Sequence, residues 1–365
     1  MKAILQPAML GGLALGNRVA MAPVTRSRAG RDGVPDDLAA QYYQQRASAG
    51  LLISEATNVS TMSAAFELAP GIYTPEQVAG WRRVAAAVHR DGGKLFMQLW
   101  HSGRVSSYAL LGGAAPLSPS GVNDDLHLLQ VYGMLRNGQY TRIAASPSRA
   151  MEREEIFSAV RAFGIGAANA LDTGLDGVEI HAANGYLPQQ FLSSLVNRRT
   201  DDFGGGVENR ARFLRLVIES VMLSFPASRI GVRISPFALY NNAGDPALAD
   251  TYGYLLRMLE EYGVGYVHAA DTNAWGGVPD MDELLSLVRA NYGGFVIANG
   301  GLSPEAADGL IRDGRADMVS FGRQFIANPD LVRRIAQGGP YNEPDPFTFY
   351  GGGSRGYVDY PALAA

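Results

Sequence analysis

Three observations predict an α/β fold of the (β/α)8 class, a TIM barrel. Eight short apolar runs alternate along the chain with segments of helical periodicity, the pattern of parallel strands joined by helices. Candidate phosphate-binding loops follow the seventh and eighth runs, where such barrels often bind phosphate. The length suits one barrel as a single domain, residues 1–365. An open doubly wound sheet has the same periodicity, so the count of eight and the loop positions decide in favour of the barrel.

The predicted strands are short, and several are rich in Val and Ile, as expected for strands covered on both faces. Helical periodicity is clearest over residues 81–93 and 208–222. A third helix is predicted at 303–313, because Ser303 and Pro304 form an N-cap and N1 pair. We expect residues 1–16 to form a hairpin that caps the bottom of the barrel. The predicted strands span residues 17–23, 51–57, 94–100, 176–182, 230–236, 264–270, 293–300 and 316–322.

The least regular part of the chain is residues 102–150, a long excursion after the third strand. It contains several Gly and Pro residues and the polar run NGQYTR at 137–142. Segments of this length on the catalytic side of a barrel are usually lids or walls of the substrate pocket. We therefore predict a pocket wall, with a decorative insertion as the alternative.

Composition and charge exclude several classes of protein. The net charge is −4 without a basic block, so neither nucleic acid nor a membrane surface is expected as a partner. No stretch approaches the roughly 20 apolar residues of a membrane span. The N-terminus is broken by Pro7 and by Gly11-Gly12, unlike a signal peptide. The chain has no cysteine, so disulfides, cysteine-ligated zinc sites and iron–sulfur clusters are excluded. We expect a cytoplasmic protein.

Two glycine-containing loops predict a phosphate site. Gly300-Gly301 follows the seventh strand and precedes a predicted helix. Gly322-Arg323 follows the eighth strand and leads to a helix that we place near residues 328–330. Glycines let the backbone approach an anion, and a guanidinium adds a charged hydrogen bond. A single glycine pair is common in turns, but two such loops on adjacent barrel strands indicate a bound phosphate group.

A second group of polar side chains follows the fourth strand. His181 and Asn184 can both donate hydrogen bonds into the barrel mouth, where such a pair stabilises negative charge on a substrate oxygen. Tyr186 is a candidate proton donor, because a tyrosine with the usual pKa of about 10 is protonated at neutral pH. A histidine at a strand end is often a satisfied core residue, so these residues alone leave both interpretations open.

Two further strand residues, Arg233 and Gln98, are candidates for holding a cofactor. A buried arginine needs an anionic or electron-rich partner, which either the pyrimidine edge of a flavin or a neighbouring carboxylate provides. The amide of Gln98 can donate and accept at such an edge.

Lysine and histidine usage excludes two other barrel chemistries. The only lysines are Lys2, near the terminus, and Lys94, at the bottom of the third strand, so a Schiff-base aldolase is excluded. The five histidines form no His-x-His pair, and no metal site is predicted.

Two long segments, NRVAMAPVTRSRA at 17–29 and GLDGVEIHAANGYLPQQFL at 174–192, surround the first and fourth predicted strands. With further segments over essentially the whole chain, they resemble the old yellow enzymes. The resemblance implies a TIM barrel that binds FMN and uses NAD(P)H to reduce small alkenes activated by an electron-withdrawing group. Enones, maleimides and nitro compounds are such substrates, and phenols would be inhibitors. The segments that carry the resemblance are residues 17–29, 40–57, 71–104, 174–192, 197–213, 321–331 and 348–361.

The resemblance also implies roles for individual residues. His181 and Asn184 would hold the substrate oxygen, and Tyr186 would be the proton donor. The implied FMN contacts are Pro23, Val24, Thr25, Ala56, Gln98, His181, Arg233, Gly300, Gly301, Gly322, Arg323 and Tyr350. The implied substrate contacts are Thr25, Phe66, Trp100, His181, Asn184, Tyr186, Tyr240 and Asn241.

The implied reaction is a ping-pong cycle in which the nicotinamide donor reduces FMN and leaves before the alkene binds. NADPH is expected in preference to NADH, and Arg142 is a candidate partner for its 2′-phosphate, with a merely solvated arginine as the alternative. The alternative function is an FMN barrel that binds ligands or senses redox state without ene-reductase turnover. The His181, Asn184 and Tyr186 set argues against that alternative.

Overall fold

Parallel strands form a closed barrel at the centre of the protein. The computed structural model describes residues 2–275 and 278–364. Within them, eight barrel strands pair in chain order, and the last pairs with the first. Each lies inside one of the predicted runs, so the (β/α)8 barrel is confirmed. The barrel strands are β1 (Val19–Met21), β2 (Leu51–Ile53), β3 (Leu95–Trp100), β4 (Gly177–Ala182), β5 (Ile230–Ile234), β6 (Tyr266–Ala270), β7 (Val296–Asn299) and β8 (Met318–Phe321).

Helices follow the barrel strands and pack their apolar faces around the barrel. Short 3-10 turns lie at Ala3–Leu5, Leu126–Leu128, Ala227–Arg229, Tyr240–Asn242, Thr272–Trp275 and Pro346–Thr348. The helices of the described residues are α1 (Asp37–Gln44), α2 (Pro75–Arg90), α3 (Arg153–Asp172), α4 (Leu187–Leu192), α5 (Val207–Val221), α6 (Leu248–Glu261), α7 (Met281–Asn291), α8 (Pro304–Arg312), α9 (Arg323–Ala327) and α10 (Leu331–Gln337).

Capping residues decide where the predicted helices begin. Helix α2 begins at Pro75, earlier than the periodicity over 81–93 indicates, because Thr74 and Gln77 form a reciprocal capping box. Helix α8 begins as predicted, and the hydroxyl of Ser303 caps its first turn.

The helix predicted near residues 328–330 is confirmed, with Asp330 as its N-cap, but the prediction missed a short helix directly after Gly322. A short helix, α9, begins at Arg323 directly after Gly322, and α10 begins only at Leu331. Pro329 separates the two, because the residue before a proline is disfavoured in the helical conformation, and Asn328 is non-helical there, with φ −125° and ψ 88°.

The predicted hairpin at the bottom of the barrel is confirmed for the described residues 2–16. Residues Ala8–Leu10 and Leu13–Leu15 pair as antiparallel strands. Their apolar side chains pack against Phe96 and Met318, which lie at the amino ends of β3 and β8. The hairpin therefore closes the end of the barrel opposite to the strand carboxyl ends.

The excursion after β3 is ordered and has its own strands. Val131–Met134 and Tyr140–Ile143 form an antiparallel pair. The excursion is fixed by a buried bidentate ion pair, in which both terminal nitrogens of Arg104 lie 2.6 Å from the carboxylate oxygens of Asp125. No described helix is both long and apolar enough to cross a membrane.

Candidate active site

A cavity of about 780 Å³ opens where the barrel strands end, on the face opposite to the hairpin. Active sites of such barrels lie on this face. The cavity brings together most of the predicted site residues: Pro23, Val24, Thr25, Ala56, Phe66, Gln98, His181, Asn184, Tyr186, Arg233, Tyr240, Gly300, Gly301, Gly322, Arg323 and Tyr350. Among the described residues, no group of three or more His, Asp or Glu side chains is placed to hold a metal ion.

Two predicted substrate contacts, Trp100 and Asn241, lie behind the cavity wall instead of in it. Trp100 is fully buried, and its ring packs edge-on against the ring of Tyr186 at 5.1 Å between centroids. The side chain of Asn241 donates to the carbonyl oxygen of Asn184 over 2.8 Å. Trp100 therefore supports the ring of Tyr186, and Asn241 supports the backbone of Asn184.

The two glycine loops border one end of the cavity. Gly301 has a φ of +68°, which favours glycine over residues with a side chain. A Cβ at Gly300 would lie 2.2 Å from the sulfur of Met281, so a side chain there needs Met281 to move. Arg323 lies at the start of α9 and lines the same end. The loops thus expose backbone beside a guanidinium, as a phosphate site requires.

His181 is held as a neutral hydrogen-bond donor. The backbone N–H of Ala183 donates to Nδ1 of His181 over 3.3 Å, so the ring proton is on Nε2. Burial, reinforced by the charge of Arg233, holds the pKa of His181 well below its usual value. The imidazole is therefore uncharged at pH 7 and can donate without bringing a cation into the site.

Asn184 lies in a strained turn that the neighbouring side chains stabilise. Its φ of +59° is in the left-handed region, which asparagine tolerates better than most residues. Its backbone N–H donates to the hydroxyl of Ser235 over 2.8 Å. The side-chain Oδ1 is buried and has no hydrogen-bond partner within the described residues. An orphaned amide that lines a cavity is suited to a polar ligand group.

Tyr186 has a fixed ring and a protonated hydroxyl. Its ring packs edge-on against His181 at 4.9 Å between centroids, and Trp100 holds it from the other side. Burial raises the pKa of the Tyr186 hydroxyl well above its usual value, and the neighbouring Tyr350 adds to the shift. The hydroxyl therefore keeps its proton at neutral pH, as a proton donor must.

An aromatic wall borders the cavity, formed by Tyr132 and Tyr140 of the excursion together with Phe66 and Tyr350. The rings of Phe66 and Tyr132 stack at 4.9 Å, and those of Tyr132 and Tyr350 stack at 5.5 Å. The hydroxyl of Tyr140 donates to the carbonyl oxygen of Glu67 over 2.9 Å. Because Tyr132 lines the cavity, the excursion is part of the pocket, as predicted.

Arg142, the candidate for a 2′-phosphate contact, is exposed at the edge of the excursion. Its guanidinium donates to the backbone carbonyl of Leu129 over 3.0 Å and to that of His127. In this structure the side chain holds the excursion together, and its role towards NADPH stays a prediction.

Tyr350 reaches the cavity because two arginines that follow β1 hold the C-terminal segment around it. Arg26 donates to the carbonyl oxygens of Phe349 (3.0 Å) and Gly356 (2.7 Å). Arg28 donates to further carbonyl oxygens of the same segment. The start and the end of the chain are thus joined beside the cavity.

Sequence reasoning did not find a buried acid, Glu179, below the cavity. Gln98 donates to its carboxylate over 2.7 Å, and His268 lies 2.8 Å from the same carboxylate. A neighbouring carboxylate was one predicted partner of Arg233, but Arg233 makes no direct ion pair within the described residues. Its guanidinium contacts His268 and the side chain of Asn299 instead. The signal was available: Glu179 precedes His181 by two positions on one strand, so both side chains point to the barrel interior.

Three buried histidines predict how stability depends on pH. Burial lowers the pKa of His101 to about 4 and lowers the pKa values of His181 and His268. In the unfolded chain histidine has a pKa of about 6.5, so below that pH the unfolded state binds protons that the folded state does not. We expect the free energy of unfolding to be highest above pH 6.5 and to fall from there towards pH 5. The slope is at most about 1.4 kcal/mol per pH unit for each histidine.

Urea unfolding at pH 7, 6 and 5 at one FMN concentration measures this slope. The His101→Asn variant provides the control, because an uncharged amide removes one of the three titrating groups, and its slope should be smaller. A free energy of unfolding that stays constant between pH 7 and 5 would show that the histidines are not held neutral.

A comparison with known proteins places the chain in a family. Residues 3–342 match the model of the NADH:flavin oxidoreductase / NADH oxidase family. This chain belongs to that family. A probable flavin mononucleotide-dependent alkene reductase of Leishmania infantum is 38% identical to this chain over 99% of the chain and 97% of the relative.

Solved structures agree with the family assignment. Morphinone reductase superimposes with a TM-score of 0.95 at 41% identity, over 99% of this chain and 96% of that one. An old yellow enzyme homologue from Zymomonas mobilis superimposes with a TM-score of 0.92 at 35% identity, over 99% of this chain and all of that one. The predicted membership of the old yellow enzyme family is confirmed. This NADH:flavin oxidoreductase is an oxidoreductase that works through a flavin and a nicotinamide hydride donor.

Proposed function

We propose that this protein is an FMN-dependent ene-reductase in which His181, Asn184 and Tyr186 bind and protonate an activated alkene. One observation carries the proposal: these three side chains line the same cavity as the glycine loops and Arg233. The family and its alkene-reductase member support the reaction class and do not favour a barrel that only binds ligands or senses redox state.

The residues at the other side of the cavity fit FMN. Gly300, Gly301, Gly322 and Arg323 suit its phosphate. Arg233 has a buried Nε without a hydrogen-bond partner among the described residues, which suits the electron-rich pyrimidine edge of the ring. When bound, FMN supplies the hydride chemistry, accepting hydride from the nicotinamide and passing it to the alkene.

Further FMN contacts in the proposal come from small or apolar residues after β1 and β2. Pro23, Val24 and Ala56 leave room for a flat ring at the cavity wall. Thr25 adds a hydroxyl that suits a carbonyl oxygen of the ring. Tyr350 provides an aromatic side chain at the edge, and burial raises the pKa of its hydroxyl to about 12, so it is uncharged.

Substrate activation is assigned to His181 and Asn184. Both are uncharged donors, and both are largely buried, so their hydrogen bonds act in a medium of low dielectric constant. They hold the carbonyl or nitro oxygen, on which negative charge grows as the alkene accepts hydride. Tyr186 then gives its proton to the alkene carbon that bears the activating carbonyl or nitro group. Phe66 and Tyr240 line the rest of the substrate space, with Trp100 and Asn241 behind it.

Four finer points belong to the same proposal. NADPH is the preferred hydride donor, as the resemblance implies, and phenols bind as mimics of the charged substrate oxygen. Residues 1–365 form one FMN-binding domain, which is supported by the contact of both chain ends with the barrel. The location is cytoplasmic, in keeping with a chain without cysteine.

An anaerobic visible spectrum tests the function. The purified protein should show a flavin band that bleaches with NADPH and returns on addition of 2-cyclohexenone. A band that bleaches and stays bleached would remove the simple enone as substrate. No flavin band, even after FMN is added, would overturn the assignment of Gly300, Gly322 and Arg323.

A further inference from the structure

A charged network lies inside the barrel, below the cavity. We call Gln98, Glu179, Arg233 and His268 the interior polar layer. Glu179 and His268 are fully buried, and neither lines the cavity. Gln98 and Arg233 do line it, so each connects the buried pair to the cavity.

The carboxylate of Glu179 is completely enclosed by donors. It accepts from Nε2 of Gln98 (2.7 Å), from the hydroxyl of Tyr266 (3.0 Å) and from Nδ1 of His268 (2.8 Å). Burial alone disfavours the charge, but the donors and the nearby guanidinium of Arg233 together hold the pKa of Glu179 below its usual value. Glu179 is therefore an anion in the barrel interior.

His268 separates this anion from Arg233 and is neutral. Burial lowers the pKa of His268, and its contacts fit one tautomer. Nδ1–H donates to Glu179, while Nε2 accepts from Arg233 (3.0 Å) and from the hydroxyl of Ser320 (2.8 Å). The layer thus holds one negative and one positive charge, with the positive one at the cavity.

The acid also fixes the orientation of Gln98. An ionised carboxylate only accepts hydrogen bonds, so the amide nitrogen of Gln98 must point towards Glu179. This leaves the amide oxygen and the second N–H of Gln98 for a partner in the cavity that it lines.

We propose that Glu179 is a positioning residue with two effects on the bound FMN: it holds the reduction potential down by offsetting the charge of Arg233, and it strengthens FMN binding by orienting Gln98. This inference rests on the proposed function, because it needs FMN in the cavity beside Arg233. Reduction adds electron density to the flavin ring, and a guanidinium favours the reduced form. The buried carboxylate of Glu179, behind that guanidinium, weakens the electrostatic field of Arg233 at the flavin. The effect is large because charges in the barrel interior are poorly screened.

The charge part of the proposal is tested with the Glu179→Gln variant, which keeps the size of the side chain and removes its charge. Reduced FMN should bind at least tenfold more tightly, relative to oxidised FMN, than in the unchanged protein. For a two-electron couple this corresponds to a rise of about 30 mV in the reduction potential. The potential is measured on the FMN-loaded protein by anaerobic titration against a reference dye, which requires no alkene turnover.

Asp245→Asn is the matched control. The side chain of Asp245 is 3% exposed and forms an ion pair with Arg210 at 3.2 Å, and neither residue lines the cavity. This variant also removes one buried negative charge, so a potential that rises equally in both variants would overturn the assignment to Glu179.

Glu179→Asp tests the orientation of Gln98 separately. The charge is kept but the carboxylate is drawn back from Gln98, so the potential should stay within about 30 mV of the unchanged protein. Oxidised FMN should bind about tenfold more weakly, because the amide of Gln98 is no longer held. Unchanged FMN affinity would overturn the orienting role, and a shift as large as in Glu179→Gln would overturn the charge argument.

The outcomes separate this inference from the proposed function. If the unchanged protein binds FMN and reduces an enone, while Glu179→Gln leaves the reduction potential unchanged and Glu179→Asp leaves the FMN affinity unchanged, the role of Glu179 is overturned and the ene-reductase stands. If the unchanged protein binds no FMN, the proposed function fails first. If neither variant folds, Glu179 serves the fold alone, and the inference is overturned.

Discussion

The Tyr186→Phe variant is expected to reduce 2-cyclohexenone about 10²- to 10⁴-fold more slowly, the range that a positioned proton donor contributes. The phenylalanine ring keeps the edge-on contacts with His181 and Trp100, so only the hydroxyl is lost. Burial raises the pKa of that hydroxyl, so the hydroxyl is protonated at neutral pH and is available as the proton donor. Reduction of the flavin by NADPH needs no proton from Tyr186 and should be unchanged.

Stopped-flow spectroscopy measures the two half-reactions separately. Tyr292→Phe is the control, because the hydroxyl of Tyr292 is also buried but donates to the carbonyl oxygen of Val264, away from the cavity lining. Both half-reactions should be unchanged in it. Equal slowing of both half-reactions in Tyr186→Phe would remove the proton-donor role.

The second large effect is expected for the variant that combines His181→Ala with Asn184→Ala. A phenolate oxygen in the cavity should receive one hydrogen bond from each residue, and a hydrogen bond to a charged group contributes about 1.5–3 kcal/mol. Losing both should weaken phenol binding about 10²- to 10⁴-fold. The single variants and the double variant together form a cycle that shows whether the two donors act on the same oxygen.

Phenol affinity is measured from the change in the flavin spectrum on titration, with the FMN content of each variant checked first. Loss of FMN from the double variant would show that the pair also holds the cofactor, which fits the predicted contact of His181 with FMN. Unchanged phenol affinity in a variant that retains FMN would place the oxyanion site elsewhere.

Local sequence signals were enough to predict the barrel and most of the cavity. Strand ends, glycine loops and the residues around His181 are contiguous in the chain, so their position follows once the barrel is assumed. The start of α2 was also encoded locally, in Thr74 and Gln77, although the apolar periodicity begins later.

Contacts across the barrel interior were not predictable in the same way. Glu179 lies on β4 and His268 on β6, and β5 runs between them. Their hydrogen bond depends on which side chains meet inside the closed barrel. The spacing of residues along one strand does not contain that information. The aromatic wall has the same origin, since its rings come from segments that are distant along the chain, as with Phe66 and Tyr350.

The 3-10 turn at Tyr240–Asn242 shows why Asn241 was wrongly predicted to face the cavity. Asn241 has a φ of +58°, and its side chain faces back towards Asn184. Its backbone conformation, which the sequence does not reveal, decides which of two adjacent residues faces the cavity.

The junction between the start and the end of the chain determines when the cavity is completed during synthesis. Arg26 and Arg28, which follow β1, are made long before the carbonyl groups that they bind, which lie between Thr348 and Gly356. β8 must also pair with β1 to close the barrel. A nascent chain therefore has the catalytic residues long before it has a closed site, and the cavity is complete only after residues 348–356 have been made.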